Sequence, residues 1–235
     1  MTLSWRTLTF ALLTVLLTAE TAFGQAKNKA PLPTSMVQKL REGVFRVGAI
    51  EVDTIKKEMT VGGFVNDNVT TLEFVANTAG GAKAYESAIT INADGIMFNT
   101  ALLLLGVDPT RSRVPKQHFD PVAPRGDPLE IWVSWNTLQG PKRVRIEQLL
   151  YDERTTMTMP EGPWVYTGSS FAPDGRYLAD IDGVLIGFVH SPSPVIENPR
   201  KGAVGAYGSI VINRNLVLLG SMKVVVTVKA VALKR

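Results

Sequence analysis

The chain contains no cysteine and only two histidines, His118 and His190. Without cysteine it can form no disulfide, carry no cysteine-ligated iron–sulfur cluster or c-type haem, and take no lipid on an N-terminal cysteine. The histidines are far apart, with no third histidine beside either. A zinc site would need both to converge with distant carboxylates, so no metal and no cofactor is expected. There is no Gly-x-Ser-x-Gly, hence no signature of a nucleophile elbow. Serines such as Ser169 and Ser170 lack a recognisable base and orienting acid, so no catalytic residue is named. No block of like charge occurs, although the net charge is +4. The cations are scattered in Lys56-Lys57, Lys142-Arg143-Arg145, Arg200-Lys201 and Lys234-Arg235. They do not interleave with aromatic residues, which argues against nucleic acid as a partner. A mild positive charge suits loose contact with anionic envelope surfaces.

The start of the chain is its most informative stretch. Met1–Arg6 carries one basic side chain, Thr7–Ala19 is uncharged and apolar, and small residues follow. That order is a secretory signal peptide over residues 1–24, cleaved after residue 24 or 26. The apolar run falls short of the roughly 20 residues that span a bilayer. The expectation is a secreted or periplasmic protein with no transmembrane segment once the signal is removed. Apolar residues make up 45% of the chain, enough for a core that stands without disulfides.

Residues 25–43 read as a leader, with Ser35 capping a short helix through Leu40 or Arg41 and Gly43 ending it. Residues 44–231 then read as a single domain. Phe45, Val47 and Ala49 alternate, and the phase changes around Gly48, which suggests a bulge. Asp53–Lys57 makes a turn, Met59 and Val61 start a return strand, and Asn66-Asp67-Asn68 turns again. Further strands are expected at Val69–Val75 and Lys83–Ile91. Asn92 caps a nearly all-apolar helix, about residues 93–105, which Gly106 and Pro109 end. Such a helix should be buried on most sides. Residues 108–128 form a Pro-rich connection where two subdomains would meet. Leu129, Ile131, Val133 and Trp135 alternate with polar partners and form a hairpin with Val144 and Ile146. Trp164–Tyr166, Arg176–Ala179 and Val184–His190 are strands, the last two joined at an Asp182-Gly183 hairpin turn. Ser209–Ile212 and Lys223–Val231 complete the set. The fold class is therefore α+β and β-dominated, with mainly antiparallel sheet and one buried helix.

Asp180-Ile181-Asp182-Gly183 resembles part of a calcium loop, but no register places carboxylates at its other ligand positions. Gly202, Gly205 and Gly208 lack the dinucleotide-binding spacing and read as a small-residue loop. Asn68-Val69-Thr70 has the form of a glycosylation sequon. The most suggestive polar cluster is Tyr85-Glu86-Ser87, with Tyr85 and Ser87 on one strand face and Glu86 on the other. A Glu86 facing the apolar helix would have a raised pKa and could act as an acid or bind a ligand; otherwise it is a solvated carboxylate. Asn99 is unusual inside a helix and would either bond a sheet carbonyl or touch solvent. Tyr85, Glu86, Ser87 and Asn99 are thus the candidate ligand-binding residues.

The segments Ala84–Ala88 (AYESA), Thr100–Pro109 (TALLLLGVDP), Trp164–Phe171 (WVYTGSSF) and Tyr177–Phe188 resemble, in order and spacing, the YdjY-type domain, a family of exported bacterial proteins. The likeness spans about Val44 to Thr227. It implies no assigned reaction. It also implies association with iron–sulfur segments in some relatives, which a chain without cysteine cannot share. Family members often carry histidine where this chain has Tyr85, while Glu86 and Ser87 match the pattern. The expected function is a non-catalytic envelope domain that binds a protein or a small ligand. The alternatives are an enzyme using Glu86 as general acid or base, and an accessory module of an exported redox system.

Overall fold

A computed structural model describes residues 36–67, 69–200, 208–216 and 218–232. The expected signal peptide and most of the leader, Asn68 of the sequon, and Gly202 and Gly205 lie outside the described residues.

The chain opens with a meander of β1 (Val37–Arg41), β2 (Val44–Val47), β3 (Ile50–Asp53) and β4 (Glu58–Val65). The helix expected before Gly43 is instead β1, because its side chains pair with β2 from Val37↔Val47 onward. Gly48, with φ +57°, closes the β2–β3 turn instead of forming a bulge. Asp53 makes the next turn by accepting from the backbone N–H of Ile55 and Lys56 at 3.1 and 2.8 Å. Then come β5 (Phe74–Thr78), β6 (Ser87–Ile91) and α1 (Gly95–Leu105). The second half supplies β7 (Pro128–Thr137), β8 (Gly140–Arg145), β9 (Leu150–Asp152), β10 (Met157–Thr158) and β11 (Trp164–Tyr166). It ends with α2 (Leu178–Ile181), β12 (Val184–Gly187), β13 (Ile196–Glu197), β14 (Ile210–Ile212) and β15 (Lys223–Ala230).

Eight of these strands close on themselves in the order β4-β15-β7-β11-β13-β12-β5-β6, and β6 returns to β4. Closure leaves no free edge around the ring. The barrel's pairings are mainly antiparallel, as expected, but it is mixed, because two of them are parallel. β5 runs parallel to β6, and β12 runs parallel to β13. β4 serves two neighbours on one side, β3 along its first residues and β6 along its last. β10, β9 and β14 form a separate three-stranded sheet.

Burial follows the pleat. Leu129, Ile131, Val133 and Trp135 of β7 are all buried, as their alternation requires. Val133 lies opposite Val226, and Ile131 opposite Val228, so apolar side chains continue in rows across the strands. In β8, Val144 is buried as expected, but Arg145 is buried too, paired at 2.9 Å with the buried Glu147 just beyond the strand. Ile146–Leu149 is a 3₁₀ turn, so strand alternation no longer applies there.

Helix α1 begins at Gly95, with Asp94 rather than Asn92 as its cap; the Met97 N–H donates to the Asp94 carboxylate at 2.6 Å. Gly106 ends it in the left-handed region at φ +93°. Phe98, Ala101, Leu102 and Leu105 are buried, whereas Ile96 and Leu103 are exposed. A helix lying on a sheet covers one side only, so the expectation of burial on most sides does not hold. Arg176–Ala179 is not a strand. It leads into α2, which ends at Asp182, and Gly183 (φ +69°) redirects the chain into β12 instead of forming a hairpin. Among the described residues no helix is long and apolar enough to cross a membrane.

Candidate functional site

Parallel neighbours joined directly are unusual, because such strands ordinarily need a crossover of a dozen or more residues. Here the β5–β6 connection is residues 79–86, and the β12–β13 connection is residues 188–195. Both chemically notable clusters sit at these two tight crossovers.

In the β5–β6 pair, Phe74 lies opposite Ser87. Parallel register therefore places Glu73, just before β5, beside Glu86, just before β6. The Glu73 N–H donates to the Glu86 carbonyl at 3.0 Å, and both side chains are buried. The Lys83 ammonium sits 2.7 Å from a Glu86 carboxylate oxygen, and His118 Nε2 lies 3.4 Å from a Glu73 carboxylate oxygen. Burial first, and then the Glu86 charge, push the Glu73 carboxyl above its ordinary range; His118 and Lys83 pull it back only in part. Lys83 is driven upward chiefly by its hydrogen bond to Glu86. Its ammonium also reaches the Tyr85 hydroxyl at 3.4 Å.

Ala84–Glu86 is a 3₁₀ turn, not strand. Tyr85 and Ser87 therefore do not share a face. Tyr85 projects into solvent, while Ser87 is buried and donates its hydroxyl to the Lys83 carbonyl at 2.8 Å, closing the turn. Glu86 is neither solvated nor aimed at the helix; its neighbours are Glu73 and Lys83. A buried amide network supports the crossover from behind. Asn66 donates to Asn77 Oδ1, the Ala84 carbonyl and the Ser87 carbonyl at 2.9, 3.2 and 2.8 Å. Thr90 donates to Asn66 Oδ1 at 2.6 Å.

Asn99 takes no part in this cluster. Its Oδ1 accepts from the Tyr166 hydroxyl at 2.7 Å, a side-chain partner in place of the expected sheet carbonyl, and the residue remains partly exposed to solvent. Burial pushes the Tyr166 pKa up to about 12. Asp180 and Asp182 have structural partners: Asp180 accepts from the Gly95 N–H at 2.5 Å, and Asp182 from the Ser193 hydroxyl.

His118 reaches Glu73 because the Pro-rich connection is tied down. Arg111 grips Asp127 through Nε and Nη2 at 2.6 and 2.5 Å, and the Asp120 carboxylate accepts from the Lys116 and Val122 N–H groups. Phe119, left-handed at φ +57°, donates its N–H to the His190 carbonyl at 2.8 Å.

The second crossover is sealed. His190 is buried, and its Nδ1 and Nε2 both lie 2.9 Å from backbone carbonyl oxygens, those of Asp120 and Asn198. Glu197 is fully buried and accepts from the Ser191 N–H at 3.0 Å. Burial drives its carboxyl well above the ordinary range. Gly187 faces it in register, where a Cβ would come within 2.6 Å of Pro194 and 3.3 Å of the Glu197 carboxylate.

Sequence reasoning missed Glu73, Lys83 and His118 as companions of Glu86. Among the described residues, no group of three or more histidine or acidic side chains is arranged to hold a metal ion. Two hydroxyls that reach the second crossover are committed to carbonyls: Ser169 to Ser193 at 2.6 Å, and Thr167 to Pro194 at 3.0 Å.

Fold and site together define a closed mixed β-barrel with an acidic pair at one short crossover. The family model for the YdjY domain matches residues 50–206, more than half of the 235-residue chain and both crossovers, and the chain belongs to the YdjY domain family. No curated protein and no solved structure matches it.

Proposed function

We propose that this chain is an exported, non-catalytic envelope domain that binds a small ligand bearing a basic nitrogen at the Glu73–Glu86 pair. The apolar leader supports export to the periplasm or beyond the cell. One observation carries the binding reading: parallel register sets two buried carboxyls side by side, with a single lysine as fixed counter-charge. An incoming ammonium supplies the missing positive charge and favours the ionised form of Glu73. The non-catalytic part is supported by His190. Both ring nitrogens of His190 face backbone carbonyls, so that imidazole is not turned toward a hydroxyl nucleophile.

Binding of putrescine and agmatine, followed by calorimetry, tests the reading. Affinity should fall as pH drops and Glu73 takes up its proton, and Glu73→Gln with Glu86→Gln should abolish it. Equal binding by that double variant sinks the proposal. An enzymatic reading keeps one supporting feature, a Glu73 carboxyl pushed above its ordinary range beside an ion-paired Glu86, the kind of unequal carboxyl pair that acid–base chemistry uses. Turnover lost specifically in Glu73→Gln would favour it.

A further inference from the structure

The β7–β8 turn and the segment before β15 flank an open depression of about 1000 Å³, lined by residues 136–142 with Leu216, Leu219 and Met222. Two of its apolar members are poorly covered: Leu138 is fully exposed at the turn tip, and Leu219 is 66% exposed. The turn does not need a leucine. Thr137 lies opposite Gly140, the Thr137 hydroxyl donates to the Gly140 carbonyl at 2.8 Å, and Gly140 takes φ +117°. Those two residues close the hairpin, leaving Leu138 free to be polar, as turn positions ordinarily are. Leu138 and Leu219 are thus exposed leucines on either side of the hollow, whose floor is formed by the buried Leu216 and by Met222, which packs on the core.

The charge of the hollow is one-sided. Among the described residues, Lys142 is its only ionisable lining residue. The ammonium rests over the Trp135 ring, 5.5 Å from its centroid, and has no carboxylate within ion-pair distance among the described residues. The ring holds the cation in place without neutralising it. An apolar trough ending at one oriented, unneutralised cation matches a molecule with an apolar chain and one negative head.

We propose that this depression binds a single-chain anionic amphiphile, a long-chain acyl carboxylate, with its chain against Leu138, Leu216, Leu219 and Met222 and its carboxylate at Lys142. The residues are separate from the Glu73–Glu86 pair, so the two assignments stand or fall apart.

Calorimetric titration of the full chain with monomeric laurate tests the proposal, with dodecyltrimethylammonium as the cationic control. Laurate should bind and the control should not. Lys142→Glu should weaken laurate at least about tenfold, and Leu138→Ser with Leu219→Ser should do the same. All three positions are at the surface, and unchanged thermal melts of the variants would keep folding out of the comparison. Equal binding of laurate and the cationic control overturns the proposal, as does no laurate binding up to millimolar concentration. Sedimentation with phosphatidylglycerol vesicles in the absence of laurate binding would overturn it too, in favour of a membrane-docking tip.

Discussion

The two short parallel crossovers use one topology for opposite ends. In both, residues beside the paired strands bring a glutamate next to another titratable or polar group. At residues 79–86 the pair Glu73 and Glu86 is served by Lys83 and His118, side chains that reach water themselves. At residues 188–195 the hydrogen-bond partners of His190 and Glu197 among the described residues are backbone groups. Side-chain partners can be exchanged for a ligand or a proton, whereas backbone partners cannot move without unfolding the loop. The first crossover is therefore built to respond, and the second to hold the Pro-rich connection, and with it His118, in place.

Substitutions sharpen this contrast. His190→Ala should have the largest effect, about 3 kcal/mol of stability lost in denaturant melts, because a buried imidazole that bonds the backbone is removed and a cavity opens. Lys83→Ala should cost about 1–2 kcal/mol by leaving the Glu86 carboxylate buried without its counter-charge. Glu197→Gln should show in the pH profile. Glu197 holds its proton in the folded state above the ordinary 4.5, so the unfolded chain loses that proton first and stability declines as pH rises from about 4.5. The glutamine variant, which still accepts from Ser191, should flatten that decline and match or exceed the wild type at pH 7. Glu73→Gln should remove a smaller slope of the same sign and change neutral-pH stability by no more than about 0.5 kcal/mol, its histidine partner being half exposed. If Glu73→Gln proved as damaging as His190→Ala, the division between responsive and fixed crossovers would be wrong.

Much of the secondary structure was legible because its cause is local. The alternation of β7, the left-handed stop at Gly106, the Asp53 turn and the strand at Trp164 depend on neighbours in sequence. Misreadings arose where a local signal had a second solution. Asp182-Gly183 suits a hairpin turn, but also the end of a helical turn such as α2. Tyr85-Glu86-Ser87 alternates like strand until a 3₁₀ turn removes the alternation. Among the candidate residues, Glu86 and Ser87 do belong to the crossover cluster, Tyr85 stands at its solvent side, and Asn99 belongs to Tyr166 instead. His118 was readable only as a histidine in a Pro-rich stretch, since its approach to Glu73 depends on contacts with His190.

By itself the amino-acid sequence determined composition and its exclusions, the dominance of strand, the capped apolar helix and membership in the YdjY domain family, because these follow from residue types and short-range periodicity. Barrel closure, the two parallel pairings and the meeting of Glu73 with Glu86 were decided only by the tertiary structure. Strand direction and register are set by which distant segments hydrogen-bond to one another, and a period of two along a strand is the same whether its neighbour runs up or down.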